Sequence, residues 1–310
     1  MNKPKLWIMC GLSGSGKSTI AKKLAQEHEN TVIVSSDQIR EELTGDYENQ
    51  DRNNEVFQIF HKRIRENLEN NKNVIADATN LTMKSRRAIL QNIKRLDVEK
   101  ICYIVPKPIP LCEIDNKNRY HPVPDEVLDK QILRFQVPFY EEGFSKIIVH
   151  RDIKWKEYQM DSIKVFFAMF DFDQKNPHHN MTLDSHCLNA YKLFCDDILH
   201  VKFINPEYHN GFVMGAKLHD VGKLMTQTFD ENGIAHYFGH SNAGSYFILS
   251  QMTKSSFWTD NMLLDCCFLI NYHMMPFSWD TEKTKKRWKE RFGECKYQML
   301  LDFHECDIAR

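Results

Sequence analysis

The stretch Gly11-Leu12-Ser13-Gly14-Ser15-Gly16-Lys17-Ser18 decides the fold of the first half of this chain. It fits the pattern GxxxxGK[ST], it follows the apolar run 6–10, and a helix-like segment begins at Thr19. Glycines let consecutive backbone N–H groups turn toward one centre, and the positive end of the following helix favours an anion there. The order of strand, glycine loop and helix therefore predicts a site for the phosphates of a nucleoside triphosphate.

The residue types of this loop predict how the triphosphate is held. Lys17 is expected to reach the β and γ phosphates, and the Ser18 hydroxyl to ligate Mg²⁺. The motif does not read the base, so the expected cofactor is ATP or GTP with Mg²⁺. The predicted nucleotide-binding residues are Gly11, Ser13, Gly14, Ser15, Gly16, Lys17, Ser18 and Thr19.

Length and composition set the class of protein. The chain has 310 residues, which at about 150 residues per domain predicts two domains. No apolar run approaches the roughly 18 residues of a membrane helix, no signal-peptide pattern is present, and the nine Cys are scattered without a CxxC pair. We therefore expect a cytoplasmic protein without a membrane partner, its oligomeric state left open. A net charge of −1 argues against a strongly basic nucleic-acid binder, so contact with a nucleic acid would be local.

Four further runs of apolar and β-branched residues follow the glycine loop. They lie at residues 31–34, 73–76, 100–105 and 146–150, and helical patterns separate them. Strands that alternate with helices indicate a parallel sheet with right-handed crossovers. The sequence thus predicts an α/β P-loop domain over residues 1–155.

Asp37 lies just past the second predicted strand, within Ser36-Asp37-Gln38-Ile39-Arg40. Ligands of open parallel sheets bind at the carboxyl ends of the strands. A carboxylate there can accept the proton of an acceptor hydroxyl that attacks a γ phosphate, and Arg40, one helical turn on, would point the same way. The alternative is that Asp37 only caps a helix beginning at Gln38.

Polar residues also follow the third predicted strand, and a lid is expected further on. Asp77 and Asn80 end that strand, and Arg86 lies on the next helix. Residues 110–142 separate the last two strands, where a phosphotransferase carries a lid. Arg119 in this segment could stabilise charge on the triphosphate; the alternative is an ordinary solvated arginine.

Together these motifs, over roughly residues 5–150, resemble the 5′-OH polynucleotide kinase family of bacterial and phage nucleic-acid repair enzymes. One departure is Asp115, at the position where many relatives have a second lid arginine, which leaves the donor contacts of the lid open. The resemblance implies that Lys17 and Ser18 act on phosphates and metal, Asp37 is the general base, Arg40 lies near the acceptor, Arg119 contacts the donor phosphates, and Asp77, Asn80 and Arg86 are on the acceptor side.

Histidines are the informative residues of the second half, where helical periodicity dominates. His219-Asp220, followed by Gly222 and Lys223, can put an imidazole and a carboxylate on one metal, with a cation beside it that could hold a substrate phosphate. The alternative is a set of unrelated histidines. The candidate ligands, in the order H…HD…H…H…D, are His186, His219, Asp220, His240, His273 and Asp307.

This order resembles the HD phosphohydrolase superfamily, which implies an all-α domain, here residues 156–310. By resemblance, His186, His219, Asp220 and Asp307 hold one ion, and His240 with His273 either complete a second site or bind substrate phosphate. The candidate ligands offer nitrogen and oxygen donors without a thiolate, so Mn²⁺, Fe, Co²⁺, Ni²⁺ and Zn²⁺ are all admissible.

The two halves suit one task. A kinase for 5′-OH ends joined to a metal hydrolase for 2′,3′-cyclic or terminal phosphates would prepare broken RNA, or DNA, for ligation. Two alternatives stay open. One is a small-molecule or nucleoside kinase fused to an HD nucleotidase; the other is a nucleotide-gated binding module with a vestigial HD core.

Overall fold

The chain forms two compact units. The parts that the computed structural model describes are residues 3–47, 49–119, 121–177, 180–200 and 206–309. The first unit is Met1–Gln131 with Pro138–Asp152, and the second is Ile132–Val137 with Ile153–Arg310.

The first unit is built on a parallel sheet in the order β2-β3-β1-β4-β5. The central strands are buried because helices cover both faces of such a sheet, which explains their continuous apolar sequences. The predicted parallel α/β arrangement is confirmed. The strands are β1 (Lys5–Cys10), β2 (Thr31–Ser35), β3 (Asn73–Asp77), β4 (Glu99–Ile104) and β5 (Lys146–Val149).

Helices connect these strands, and local chemistry fixes where they begin. The Ser35 hydroxyl accepts from the Gln38 N–H and begins α2, and Thr82 likewise begins α4 through the Ser85 N–H. The helices of this half are α1 (Lys17–Glu27), α2 (Ser36–Thr44), α3 (Asn53–Glu69), α4 (Met83–Asn92), α5 (Ile109–Lys117) and α6 (Asp125–Ile132).

The sheet brings three polar segments to one edge. The phosphate loop follows β1, Asp37 follows β2, and Asp77 ends β3. Ser35 is paired opposite Asp77, so the segments after β2 and β3 leave the sheet side by side. The candidate kinase site lies at this edge because parallel strands all end there.

The second unit is mainly helical. Its core forms where α12 packs against α9 and α11, with Phe212 and Phe268 edge to face at 6.5 Å between ring centroids. The helices are α7 (Ser162–Ala168), α8 (Leu183–His200), α9 (Pro206–Leu218), α10 (Lys223–Thr226), α11 (His240–Met252), α12 (Asp260–Tyr272) and α13 (Glu282–Ile308).

The expectation of an all-α second half needs one correction. Two short antiparallel strands, β6 (Thr228–Phe229) and β7 (Ala235–His236), form a hairpin immediately before α11. Two-residue strands are too short to show the alternation that predicts a strand. Within the described parts of the chain, no helix has both the length and the apolar character needed to cross a bilayer.

Candidate functional site

The phosphate loop presents an uncapped helix end. Helix α1 begins at Lys17 after Gly16, which has φ 88°, and no side chain caps its first turn. The first N–H groups of a helix have no intrahelical acceptor, so this end offers donors and positive potential to an anion. Gly14, at φ 76°, is required by close packing: a Cβ there would lie 2.2 Å from the carbonyl oxygen of Cys112 on α5.

Lys17 and Asp77 are both buried and interact electrostatically beside Ser18. The Lys17 ammonium donates to the Leu12 carbonyl at 2.7 Å, and burial lowers the pKa of Lys17 although Asp77 opposes this. Burial raises the pKa of Asp77, while Lys17 and a hydrogen bond with the Ser18 side chain act in the other direction. Asp77 was expected on the acceptor side, and the structure places it next to the predicted metal ligand Ser18.

Three of the predicted phosphate-binding residues have backbone N–H groups engaged within the protein, and one of them, the Ser15 N–H, donates to the Leu12 carbonyl at 3.2 Å. The Gly11 N–H donates to the Thr79 carbonyl at 3.1 Å, and the Ser13 N–H donates to Gln131 Oε1 at 2.8 Å. Gln131 Nε2 also donates to the Ser13 hydroxyl at 2.9 Å. These amides hydrogen-bond within the protein, and the nucleotide-binding role of Gly11, Ser13 and Ser15 stays a prediction. Sequence reasoning missed Gln131, which no motif marks.

Asp37 lies in the first turn of α2 with its carboxylate directed at Arg40. Arg40 Nη1 donates to Asp37 Oδ1 at 3.1 Å, and Arg40 Nη2 donates to Asn53 Oδ1 at 3.0 Å. The Arg40 side chain is 8% exposed and that of Asp37 is 44% exposed, so the arginine is fixed and the carboxylate is open to solvent. The helix-cap alternative for Asp37 is wrong, because Ser35 caps α2.

Tyr47 joins Asp37 to the lid segment. Its hydroxyl donates to Asp37 Oδ2 at 2.8 Å and accepts from Arg119 Nη2 at 2.8 Å. Burial and the charge of Asp37 raise the pKa of Tyr47 to about 12. Arg119 is therefore not merely solvated in this structure. Tyr47 was missed by sequence reasoning, since it follows α2 at no motif spacing.

Arg86 and Asn80, expected on the acceptor side, are structural. Arg86 is fully buried in a two-pronged pair with Glu142, at 2.6 and 2.9 Å. Asn80, 4% exposed and at φ 45°, donates to the Met9 carbonyl at 2.8 Å and so ties the end of this loop to β1. The Arg86 guanidinium and the Asn80 amide group donate their hydrogen bonds to groups inside the protein, so neither is directed at an acceptor nucleic acid.

Asp115, the departure in the lid, is neutralised by a neighbouring cation. It forms a salt bridge with Lys107, whose ammonium also lies 3.4 Å from the Gly14 carbonyl oxygen. The positive charge of Lys107 therefore offsets the negative charge of Asp115 near the phosphate loop.

The six candidate ligands of the second unit meet around Asp220. Its Oδ1 lies 3.1 Å from His240 Nε2 and 3.5 Å from His273 Nε2. Its Oδ2 lies 3.5 Å from both His186 Nε2 and His219 Nε2. Asp307 Oδ1 approaches the same two nitrogens at 3.1 Å. The cluster thus has two groups of ligand atoms that share one carboxylate.

The ring nitrogens of these histidines are oriented as metal ligands are. In His219, His240 and His273, Nδ1 lies 2.8 to 2.9 Å from the carbonyl oxygen three residues earlier. A carbonyl only accepts, so each Nδ1 carries a proton and each ring turns its Nε2 inward. Nε2 atoms face one another at 3.2 Å between His186 and His219 and at 3.4 Å between His240 and His273. Nε2 atoms this close to one another and to the carboxylates could coordinate a divalent cation in each group.

Gly222 lets two ligand-bearing segments approach each other. A Cβ at this position would lie 1.9 Å from the His240 carbonyl oxygen, so the turn after His219-Asp220 can rest against the start of α11 only with glycine. Lys223 follows this turn, buried, and donates to Asp220 Oδ2 at 2.7 Å and to Gln174 Oε1 at 2.7 Å. Its ammonium is held against the carboxylate of the cluster.

The electrostatics of the cluster keep its carboxylates ionised. Burial opposes their charge, yet Lys223 and His219 hold the pKa of Asp220 well below its ordinary value, and His219 and His186 do the same for Asp307. Burial also opposes a charge on His219, while Cys187 and Asp220 raise its pKa well above the ordinary value. A proton and a metal ion compete for this Nε2, so metal binding there releases a proton.

Comparison with known proteins gives a match for the first unit. Residues 6–138 match the family model described as an AAA domain. L-seryl-tRNA(Sec) kinase of Methanococcus maripaludis is 31% identical over 142 residues, which are 43% of this chain and 53% of that protein. The chain therefore spans about half the length of this curated relative. The first unit is a P-loop kinase-like domain.

Two solved structures of the Pnkp1/Rnl/Hen1 RNA repair complex are also similar. One chain is 25% identical with a TM-score of 0.39, covering 43% of this chain and 44% of its own. The other is 27% identical with a TM-score of 0.33, covering 36% of this chain and 39% of its own.

Proposed function

We propose that the first unit transfers the γ-phosphoryl group of ATP or GTP to the 5′-OH of an RNA or DNA end. The observation that carries this proposal is the solvent-open carboxylate of Asp37, fixed by buried Arg40 beside the phosphate loop. A base at that edge could accept the proton of an acceptor hydroxyl. A loop that only binds a nucleotide does not need such a base.

Each group has a role in this transfer. The open start of α1 and Lys17 hold the donor phosphates, and Asp37 accepts the proton of the attacking hydroxyl. Arg119 neutralises charge on the transferring group. Ser18 and Asp77, whose side chains are hydrogen-bonded, would hold Mg²⁺, which when bound offsets the charge of the β and γ phosphates.

The acceptor class has support from the L-seryl-tRNA(Sec) kinase of Methanococcus maripaludis, whose name gives an aminoacylated tRNA as its substrate. That favours an acceptor attached to RNA over a free metabolite, and it does not single out a 5′-OH. A small-molecule or nucleoside kinase is the alternative, and dependence of KM on oligonucleotide length separates the two, because only a polynucleotide kinase gains contacts from added nucleotides.

Replacing Asp37 by Asn tests the kinase proposal. We expect kcat for transfer to a 5′-OH oligonucleotide to fall by about 100-fold or more, because the amide cannot accept the proton, with nucleotide affinity retained. The measurement is transfer of labelled γ phosphate under single-turnover conditions. Asp97→Asn, at a side chain that is 89% exposed, is the matched control and should keep full activity. Full transfer by Asp37→Asn would contradict the proposal.

We further propose that the second unit is a metal-dependent phosphohydrolase acting on 2′,3′-cyclic or terminal phosphates of nucleic-acid ends. The convergence of four Nε2 atoms and two carboxylates, with Asp220 shared by both groups, supports it. His186, His219 and Asp307 with Asp220 would hold one ion, and His240 and His273 with Asp220 a second. Mn²⁺, Fe, Co²⁺, Ni²⁺ and Zn²⁺ suit these donors.

Bound metal supplies Lewis-acid polarisation of a phosphoryl oxygen and an activated water. Lys223, whose ammonium lies 2.7 Å from Asp220 Oδ2, would be the cation that holds a substrate phosphate. The alternatives are a nucleotidase, which would act on mononucleotides and not on cyclic-phosphate ends, and a vestigial core that binds no metal.

Metal content tests the shared-carboxylate arrangement. We expect wild-type protein to carry about two transition-metal ions per chain, His186→Ala and His240→Ala about one each, and Asp220→Ala none, because only Asp220 belongs to both groups. Elemental analysis of protein purified without chelators measures this. His236→Ala, whose imidazole pairs with Asp230 outside the cluster, is the control and should keep both ions. Metal-free wild-type protein would contradict the proposal.

A further inference from the structure

Tyr47 occupies a position between the two sides of the proposed kinase reaction. Its hydroxyl contacts Asp37, the proposed base for the acceptor, and Arg119, the proposed cation for the donor phosphates, each at 2.8 Å. Its ring also stacks on His121, at 5.0 Å between centroids and 19° between planes. Arg119 and His121 both belong to the lid segment, so one side chain touches the lid twice and the base once.

The chemistry of the partners fixes the direction of both hydrogen bonds. An ionised carboxylate only accepts and a guanidinium only donates, so the single hydroxyl proton goes to Asp37 and the phenolic oxygen receives Arg119. Because burial and Asp37 raise the pKa of Tyr47 to about 12, that proton is present throughout the neutral range. Asp37, Tyr47 and Arg119 are thus linked in one polarised chain.

The carboxylate of Asp37 is held from two directions. Arg40 donates to Oδ1 and is itself fixed by Asn53, while Tyr47 donates to Oδ2. Arg40 and, at 3.5 Å, the Ser36 hydroxyl both contact Oδ1, so without Tyr47 the carboxylate would keep rotational freedom at Oδ2. The Tyr47 contact selects one orientation, and a base misplaced by about 1 Å costs up to about 100-fold in rate.

We propose that Tyr47 is a positioning residue that sets the orientation of Asp37 and couples it to the lid through Arg119; this inference rests on the proposed kinase function. The position of Asp37 on the acceptor side is linked to that of Arg119 on the donor side, because both contact the Tyr47 hydroxyl. Tyr47 touches neither phosphate nor acceptor in this role, and it acts through its two neighbours.

Tyr47→Phe tests the inference by removing one oxygen and keeping the ring against His121. We expect kcat for transfer to a 5′-OH oligonucleotide to fall about 10- to 100-fold, with both KM values changed by less than about threefold. A role confined to folding of the segment would instead raise KM for the oligonucleotide and lower the thermal midpoint. Tyr103→Phe, which loses a hydroxyl contact with His150 away from this site, is the matched control and should keep its kcat.

A double-mutant cycle adds a readout that a folding role would not move. In an Arg119→Ala background, Tyr47→Phe should lower kcat by a smaller factor than it does in the wild-type protein, because the part of its effect that passes through Arg119 is already gone while its contact with Asp37 remains. Unchanged kcat in Tyr47→Phe, or fully additive losses in the cycle, would overturn the inference while wild-type transfer leaves the proposed function intact. Absence of transfer by the wild-type protein would overturn both.

Discussion

At the scale of single residues, motif spacing predicts only those functional side chains that neighbouring residues in the sequence identify. The glycine loop and the residues just past strand ends are of this kind, and the structure brings Lys17, Asp37 and Asp77 to one sheet edge. Tyr47 and Gln131 carry no such mark, because neither lies at a fixed motif spacing from the residue it contacts. Their contacts, 10 and 118 residues apart in the chain, depend on tertiary packing.

Arg86 shows the opposite failure, a polar residue in a suggestive place that belongs to the interior. A charged side chain that follows a strand can be buried if an oppositely charged side chain pairs with it. For Arg86 that side chain is Glu142, 56 residues further along the chain. Nothing in the local sequence of α4 reveals it. The same holds for Asn80, whose amide closes on the backbone of β1.

The buried pair makes a stability prediction. Glu142→Gln leaves the Arg86 guanidinium, fully buried, without its counter-charge, and we expect the free energy of unfolding of the first unit to fall by about 3 kcal/mol. Urea unfolding at neutral pH measures it. Glu141→Gln, at the exposed neighbouring residue, is the control and should change the value by less than about 0.5 kcal/mol. A loss that small in Glu142→Gln would show that the charge of Glu142 is not needed.

At the scale of elements, periodicity and β-branched runs predict the strands of the first unit but not their order. Each predicted strand is present within a residue or two of its expected bounds. The order β2-β3-β1-β4-β5 follows from hydrogen bonds between distant segments, such as Leu6 with Val74, which no local pattern encodes. In the second unit the hairpin of β6 and β7 was missed for a related reason, since its strands are too short to alternate.

Helix ends, rather than helix faces, carry the histidine cluster. His240 begins α11, His273 follows α12, and His219-Asp220 follow α9. The order of the histidines and aspartates can be recognised in the sequence. Hydrophobic periodicity does not predict how helix ends approach one another, so the position of Asp220 between the two groups of histidines could not be predicted. The close approach at Gly222 is the packing feature that makes the convergence possible.

At the scale of the whole molecule, each candidate site is assembled within one compact unit. The groups of the kinase site lie between Gly11 and Gln131, and the histidine cluster lies between His186 and Asp307. Neither site takes a side chain from the other unit in the described residues. A substitution in one site should therefore abolish one proposed reaction and leave the other intact, even if both reactions act on the same broken strand.

The measurement that tests this account most directly offers labelled RNA with a 5′-OH end and a 2′,3′-cyclic phosphate end to three proteins, with NTP, Mg²⁺ and a transition metal. Wild type should modify both ends. Lys17→Ala should lose only 5′ phosphorylation, and Asp220→Ala only removal of the cyclic phosphate, each by about 100-fold or more. Loss of both activities in either variant, or wild-type protein that leaves both ends unchanged, would contradict the account of one chain with two separate end-healing sites.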